Sequence, residues 1–195
     1  MPGSSLWLLP PPTSPLHRTL TTLITTTLPT LLPLESTSAT LSPSFFAPHL
    51  TLTSNIPPSV YTSSPQAWLD SLPLPSVRIR LTDLCTHDVF FRRCFLQVAR
   101  ERGVEELAAV ARKWGVEGGD EERVRGWLEG YGPHVSLMYG SVPMDEERMG
   151  VVRKAVEEAG VALGEEGSGW EGGVVWLVPT DRPIGEWKPI AVREL

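Results

Sequence analysis

Cysteine is scarce in this sequence, since only Cys85 and Cys94 occur among 195 residues. Two cysteines are too few for the disulfide framework of a small secreted domain. The sequence also lacks the uninterrupted apolar run of roughly 20 residues that a membrane-spanning helix needs. No basic residue precedes the apolar stretch Leu6–Leu9, and three prolines follow it, which is unlike a signal peptide. We therefore expect free thiols and a soluble intracellular protein, cytoplasmic rather than secreted, with no membrane span.

Basic residues are in the minority, with 17 Lys and Arg against 23 Asp and Glu and a formal net charge of −6. Long nucleic acids require a basic stripe that neutralises many phosphates, so this charge disfavours them as partners. A small nucleotide remains compatible, because a few local donors suffice for one or two phosphates. Since 41% of the residues are hydrophobic, the chain can bury a core. Its length suits one compact domain or two small lobes that share a cleft.

The hydrophobic pattern predicts helices and strands in an order without regular alternation. Leucine and isoleucine at 16, 20, 23, 24 and 28 form one face of a helix, which Pro29 and Pro33 are expected to end. Further helices are predicted at 65–72, 105–114, 121–129 and 143–159. Strands are predicted at 5–9, 46–56, 132–142, 174–179 and 187–192, with a hairpin over 77–98. This order favours an α+β fold of antiparallel sheets with helices on one side of each sheet.

A five-residue pattern occurs twice, as Pro48-His49-Leu50-Thr51-Leu52 and as Pro133-His134-Val135-Ser136-Leu137. Side chains alternate between the two faces of a strand, so each histidine shares a face with the hydroxyl residue two positions later. Histidine transfers protons near neutral pH, and a hydroxyl donates hydrogen bonds to phosphate oxygens. Two such units facing one another would supply an acid, a base and two donors for in-line displacement at a cyclic phosphate.

The short string alone is a weak signal, because His17-Arg18-Thr19 also matches it. That copy lies in a helical pattern, where the histidine and the threonine do not share a strand face. A single histidine of this kind is more often an ordinary surface residue than a catalytic one. The duplicated pattern with matching flanks and matching strand context favours a shared site.

The duplicated pattern resembles the two His-x-Thr/Ser motifs of the 2H phosphoesterase superfamily. The segment 5–10, the helix after it and the segment 46–54 are similar to those of fungal and plant 2′,3′-cyclic-nucleotide 3′-phosphodiesterases, and the segment 133–139 matches the second motif. The resemblance covers nearly the whole chain in element order. It implies a single bilobal domain over 1–195, in which two antiparallel sheets flank a water-filled cleft. The motifs at 49–51 and 134–136 would lie on facing strands.

The resemblance also implies an activity, namely the hydrolysis of nucleoside 2′,3′-cyclic phosphates to 2′-phosphates. A second implied substrate is ADP-ribose 1″,2″-cyclic phosphate, a by-product of tRNA splicing. No metal and no other cofactor would be needed. Carried over, His134 activates water and His49 protonates the leaving 3′ oxygen, while Thr51 and Ser136 bind the phosphate. We further expect a monomer, and the family resemblance makes an association with the Golgi a possible alternative to the cytoplasm.

Trp7 and Tyr139 match family positions that contact the ring or the phosphate of the ligand. Strict alternation places Tyr139 on the face opposite His134. It reaches the cleft only if the strand bulges or ends near Met138, and otherwise it belongs to the core.

Two other features of the hairpin have open interpretations. The hairpin contains four arginines, namely Arg78, Arg80, Arg92 and Arg93. They could bind a second phosphate, as on ADP-ribose, or form a solvated face, and we favour the solvated face. With a turn at His87-Asp88, the hairpin would place Cys85 opposite Phe90 rather than Cys94. Cys85 and His87 do not by themselves make a metal site.

Two competing functions remain open at the level of sequence. One is a non-catalytic module that binds a nucleotide or an RNA end, and the intact histidines and hydroxyls in both motifs disfavour it. The other is a 2H enzyme acting on 2′–5′ linkages or on longer RNA ends, which the acidic charge disfavours. The glycine-rich segments 115–120 and 164–173 are candidate lids.

Overall fold

The structure is a computed structural model that describes residues 3–32, 45–62 and 64–195. Its strands are β1 (Ser4–Leu9), β2 (Leu50–Ile56), β3 (Arg78–Ile79), β4 (Leu81–Cys85), β5 (Cys94–Val98), β6 (His134–Met138), β7 (Trp170–Glu171), β8 (Val174–Pro179) and β9 (Ala191–Glu194). Its helices are α1 (Pro15–Thr22), α2 (Leu28–Leu31), α3 (Pro65–Ser71), α4 (Arg102–Gly115), α5 (Glu121–Glu129) and α6 (Glu146–Glu158). The predicted α+β fold class is confirmed.

Seven strands form one antiparallel sheet in the order β4-β5-β6-β2-β1-β8-β9, and β3 pairs with β7 in a small second sheet. One face of the large sheet is covered by α1, α4 and α6, whose apolar side chains pack on alternate residues of the strands. In β1, Leu6 and Leu8 belong to this core, whereas Trp7 and Leu9 lie on the opposite face. The period of two along each strand therefore leaves one face of the sheet for a cleft.

The two strands that carry the histidine motifs are neighbours at the centre of the large sheet. β2 and β6 are joined through the pair Leu50 and Val135. Two antiparallel sheets were expected, and the structure has two groups of strands, β4-β5-β6 and β2-β1-β8-β9, connected edge to edge at this pair. The motifs consequently lie side by side at the junction of the two groups.

The first helical segment continues past Pro29, contrary to the sequence-based prediction. A π-helical turn, Leu23–Thr27, follows α1 and leads into α2, which has Pro29 near its start. Pro29 has no N–H to donate to the preceding turn, and the helical backbone reaches it through the π-helical turn without a break. Threonine hydroxyls stabilise the segment, since Thr25 donates to the Thr21 carbonyl over 2.8 Å and Thr30 to the Thr26 carbonyl over 2.7 Å. Pro33 lies outside the described residues.

The central hairpin is shorter than predicted. β4 and β5 pair so that Cys85 lies opposite Phe95, and the prediction of Phe90 as its partner was wrong. Residues 86–93 form a connecting loop that contains a 3₁₀ turn, Phe90–Arg92. The buried Arg93 fixes this loop, because its guanidinium pairs with Asp88 at 2.8 Å and donates to the Gly140 carbonyl over 3.0 Å.

Three further strands differ in their bounds from the prediction. The strand predicted from 46 begins at Leu50, and the strand predicted over 132–142 is β6, which ends at Met138. The last strand starts at Ala191, because a 3₁₀ turn, Ile184–Glu186, and Pro189 precede it. Proline cannot donate to a strand ladder, which delays pairing there. Among the described residues, no helix combines the length and the apolar character required to cross a bilayer.

Candidate active site

The register at the centre of the sheet brings the two motifs together. Because Leu50 lies opposite Val135, an antiparallel register places His49 beside Ser136 and Thr51 beside His134. Leu50 and Val135 are fully buried in the core. The histidines and hydroxyls therefore project from the opposite face, as alternation along the strands requires.

All six residues predicted for the site line one pocket on that face, with a cavity volume of about 290 Å³. These are Trp7, His49, Thr51, His134, Ser136 and Tyr139. The loop after β4, the end of β6 and the segment before β9 also contribute residues to the pocket wall. Residues 85 positions apart in the sequence thus contribute to a single site.

The two imidazoles are held in the same way by the backbone. His49 Nδ1 lies 2.7 Å from the Ala47 carbonyl oxygen, and His134 Nδ1 lies 2.8 Å from the Gly132 carbonyl oxygen. A carbonyl oxygen only accepts hydrogen bonds, so Nδ1 carries the proton in both rings. In each neutral imidazole, Nε2 is consequently free to accept a proton.

Burial lowers the pKa of both histidines to about 4. The Nδ1 hydrogen bonds to Ala47 and Gly132 oppose this shift, while nearby positive groups add to it. For His49 the positive neighbour is His134, and for His134 the positive neighbours are Arg92 and His87. Both imidazoles are therefore neutral near pH 7 in the unliganded protein, and each is competent as a base.

The two hydroxyls differ in their surroundings. The buried Ser136 donates to the Phe91 carbonyl over 2.9 Å, so its hydroxyl proton is already used in a hydrogen bond within the protein. The half-buried Thr51 lines the pocket, and no group in the described residues is hydrogen-bonded to its hydroxyl. Its backbone carbonyl accepts a hydrogen bond from Tyr131 at 3.0 Å, which anchors this part of β2. Thr51 is thus the hydroxyl with a free donor for a ligand.

Aromatic rings enclose the first histidine. Trp7 stacks on His49 with ring centroids 3.7 Å apart and planes within 14°. Phe46 meets the same imidazole edge-on and stacks on Tyr139 at 4.0 Å. Tyr139 reaches the pocket because β6 ends at Met138, which was one of the two alternatives that the sequence left open.

Comparison with known proteins places this site in a family. The whole chain, residues 1–195, matches a family described as "Cyclic phosphodiesterase-like protein". The chain belongs to this family. Two fungal relatives are named 2′,3′-cyclic-nucleotide 3′-phosphodiesterase, one from Neurospora crassa at 50% identity and one from Phaeosphaeria nodorum at 41% identity, each with both chains covered completely. A third protein of that name, from Yarrowia lipolytica, is 28% identical over 98% of this chain and 99% of its own.

Membership in the cyclic phosphodiesterase-like family confirms the resemblance seen in the sequence and the prediction of a phosphodiesterase. The individual roles of the pocket residues remain predictions. The non-catalytic alternative loses its basis, since full-length relatives at 50% and 41% identity carry the name of an enzyme.

Several pocket residues of this family member were missed by sequence reasoning. They are Ser5, Phe91, Trp127, Tyr131, Thr180 and Trp187, together with backbone at Gly130 and Gly132. Trp187 lies edge-on to Trp7 with ring centroids 5.6 Å apart, although it comes from the turn before β9. Loop residues of this kind follow no periodicity. An unexplained aromatic next to prolines near the chain end was the only available signal.

The four hairpin arginines do not behave as one group. Arg80 pairs with Glu101 at 2.8 Å, Arg93 is buried against Asp88, and Arg78 is exposed on β3. Arg92 instead lines the pocket beside His134. The favoured interpretation of a solvated face therefore fails for Arg92 and Arg93. In the described residues, Cys85 and His87 do not join a cluster of three or more metal-binding side chains.

Proposed function

We propose that this protein hydrolyses nucleoside 2′,3′-cyclic phosphates to nucleoside 2′-phosphates, with its two motif histidines as the acid and the base. The observation that carries the proposal is the matched pair of imidazoles in one pocket, each with Nδ1 bound to a backbone carbonyl and Nε2 free. The names of the fungal relatives support the substrate class.

The proposed reaction needs one neutral and one protonated imidazole. His134 Nε2 takes a proton from water while the water oxygen attacks phosphorus and forms the new P–O bond. The bond between phosphorus and O3′ breaks, and His49 Nε2 gives its proton to that oxygen. One proton enters the histidine pair and one leaves it, so the product is a 2′-phosphate with a free 3′ hydroxyl.

The bound substrate supplies the charge that makes this protonation state accessible. Both pKa values are lowered to about 4 chiefly by burial in an unliganded pocket. A cyclic phosphate carries a negative charge, and an adjacent anion raises the pKa of an imidazole. Substrate binding therefore favours protonation of one imidazole, whereas the imidazolium so formed opposes protonation of the other.

Thr51 is the stronger candidate for stabilising the phosphorane-like transition state. Its hydroxyl faces the pocket without a protein partner in the described residues, so it can donate to a non-bridging oxygen at no loss of an existing hydrogen bond. Ser136 must first release the Phe91 carbonyl, which lies 2.9 Å from its oxygen. Its present contact fixes Phe91 in the pocket wall. We propose that both donate, with Thr51 making the larger contribution.

The proposal extends to ADP-ribose 1″,2″-cyclic phosphate and to catalysis without a metal. Both phosphates contain a five-membered ring on adjacent ribose oxygens, so the same acid and base could open either one. Two imidazoles and two hydroxyls supply proton transfer and donors by themselves, which makes a metal unnecessary for the step as written.

Product analysis tests the proposed function. The purified protein is incubated with adenosine 2′,3′-cyclic phosphate in EDTA, and the products are separated against 2′-AMP and 3′-AMP standards. We expect 2′-AMP alone. Formation of 3′-AMP would contradict the assigned leaving oxygen, and absence of turnover would contradict the substrate class. Loss of activity in EDTA that a divalent ion restores would contradict metal-free catalysis.

A further inference from the structure

Arg92 gives the pocket a fixed positive charge. Among the described residues that line the cavity, it is the only lysine or arginine, and none is an aspartate or glutamate. The protein as a whole carries a formal charge of −6. A guanidinium without a carboxylate partner at the wall of a cleft in an acidic protein attracts an anionic group.

The neighbouring arginines show that this arrangement is particular to Arg92. Arg93, the next residue, is neutralised by Asp88 at 2.8 Å, and Arg80 is neutralised by Glu101 at 2.8 Å. In the described part of the chain, no carboxylate lies within ion-pair distance of Arg92. Its contact is with a neutral group, the Gly132 carbonyl, to which Nη2 donates over 3.2 Å.

That contact leaves most of the guanidinium available. An arginine side chain has five N–H donors, and the Gly132 carbonyl accepts from one of them. Gly132 also provides space, since a Cβ at this position would lie 3.3 Å from both terminal nitrogens of Arg92. The absence of a side chain at Gly132 allows the planar guanidinium to lie close to the backbone at the pocket wall.

The position of Arg92 separates it from the reacting phosphate. The Gly132 carbonyl that holds Arg92 also accepts from His134 Nδ1 at 2.8 Å. Nδ1 and Nε2 lie on different sides of an imidazole ring, and the proposed reaction takes place at Nε2. Arg92 is therefore on the Nδ1 side of His134, and Gly130 and Trp127 also line the pocket. An anion bound there would be a second group of the ligand.

We propose that Arg92 forms a subsite for a phosphate on the 5′ oxygen of the cyclic nucleotide. This inference rests on the proposed function. In a nucleoside 2′,3′-cyclic phosphate, the ring phosphate occupies O2′ and O3′, so a further phosphate on the ribose can only be on O5′. The preferred substrates then carry a 5′-phosphate, a 5′-pyrophosphate or the 5′-phosphodiester of a short chain. Arg92 determines this specificity as a binding residue and takes no part in proton transfer.

Paired substrates test the subsite. We would measure kcat/KM for adenosine 2′,3′-cyclic phosphate and for the same nucleotide with a 5′-phosphate, using the wild-type protein and the variants Arg92→Gln and Arg92→Lys. The wild type should prefer the 5′-phosphorylated substrate by roughly tenfold or more, the scale of a charge-assisted hydrogen bond. Arg92→Gln should bring the ratio of the two values close to one, and Arg92→Lys should retain part of the preference.

Arg78→Gln is the matched control, because Arg78 is exposed on β3 and does not line the pocket. It should leave the ratio unchanged. Equal turnover of both substrates by the wild type would overturn the subsite while leaving the proposed function intact. So would an Arg92→Gln variant that slows both substrates by the same factor, since the preference for the 5′-phosphate would then not depend on Arg92. Failure of the wild type to hydrolyse either substrate would instead overturn the proposed function.

Discussion

The two histidine motifs share a local design. In each motif, a proline precedes the histidine, Nδ1 is bound to the carbonyl of the residue two positions earlier, and a hydroxyl residue follows two positions later. Burial lowers the pKa of both imidazoles to about 4. On this evidence alone, the acid and the base are interchangeable.

Their surroundings differ. His49 lies between Trp7 and Phe46, in an apolar enclosure formed by rings. His134 is close to two positively chargeable groups, Arg92 and His87, which disfavour its protonation. When an anionic ligand binds, the proton that the histidine pair takes up is therefore favoured on His49 rather than on His134. In the proposed mechanism, the duplicated motif supplies the acid and the base, while residues outside the motif divide these two roles between the histidines.

The largest effect is expected from removal of either histidine. His49→Ala and His134→Ala should each lower kcat/KM for adenosine 2′,3′-cyclic phosphate by at least ~10²-fold, the usual scale of lost general acid–base catalysis. His17→Ala is the control, because His17 lies in the third His-x-Thr string, on α1 and away from the pocket. Activity within tenfold of the wild type in both cleft variants would refute the mechanism.

The hydroxyls should respond unequally. Thr51→Val is expected to lower kcat by about 10²-fold, as for loss of one donor to a developing charge. Ser136→Ala should cost less, because the Ser136 proton is already used at the Phe91 carbonyl. Steady-state kinetics of the two variants would measure the difference. A larger loss in Ser136→Ala would reverse the assignment of the stronger donor.

Stability should depend on pH through His49. Its pKa is lowered to about 4 by burial, against 6.5 in the unfolded chain. Between these two values the unfolded state binds a proton that the folded state does not, so the free energy of unfolding decreases as the pH falls from 6.5 to 4. The contribution of this single group is roughly 3 kcal/mol at most.

Denaturant unfolding at several pH values would measure this dependence in the wild type and in His49→Gln. The variant should show a smaller decrease over the window from 6.5 to 4, because it lacks the buried imidazole. Equal decreases in the free energy of unfolding of the two proteins would show that His49 is not held neutral by the fold.

The smallest effect is expected at Trp7. Trp7→Phe keeps an aromatic ring but reduces its overlap with the His49 imidazole, and an aromatic pair contributes about 0.5–1.5 kcal/mol. We therefore expect a loss in kcat/KM of up to about tenfold. Trp170→Phe is a suitable control, because Trp170 is buried in the core on β7 and does not line the pocket. An equal loss in both variants would assign Trp7 a structural role.

The motifs could be found from the sequence because they are local and repeated. The repeat of His49 at His134, with alternating aliphatic residues, predicts both chemistry and strand faces, and periodicity predicts most helices. The order of the strands could not be predicted, since pairing such as Leu50 with Val135 depends on contacts between distant segments. For the same reason Trp187 was missed and a solvated face was favoured for Arg92: both enter the pocket from 3₁₀ turns and loops, whose course follows from tertiary packing.

The most direct test of the central claim is the protonation state of the two cleft imidazoles in a complex. Nitrogen NMR of protein with ¹⁵N-labelled histidine can follow all four histidines, with His49→Ala and His134→Ala variants used for assignment. In the complex with 2′-AMP, we predict one cleft imidazole protonated on both nitrogens and the other neutral, with its proton on Nδ1. Two neutral rings, or two cationic rings, would contradict a mechanism that divides acid and base between them.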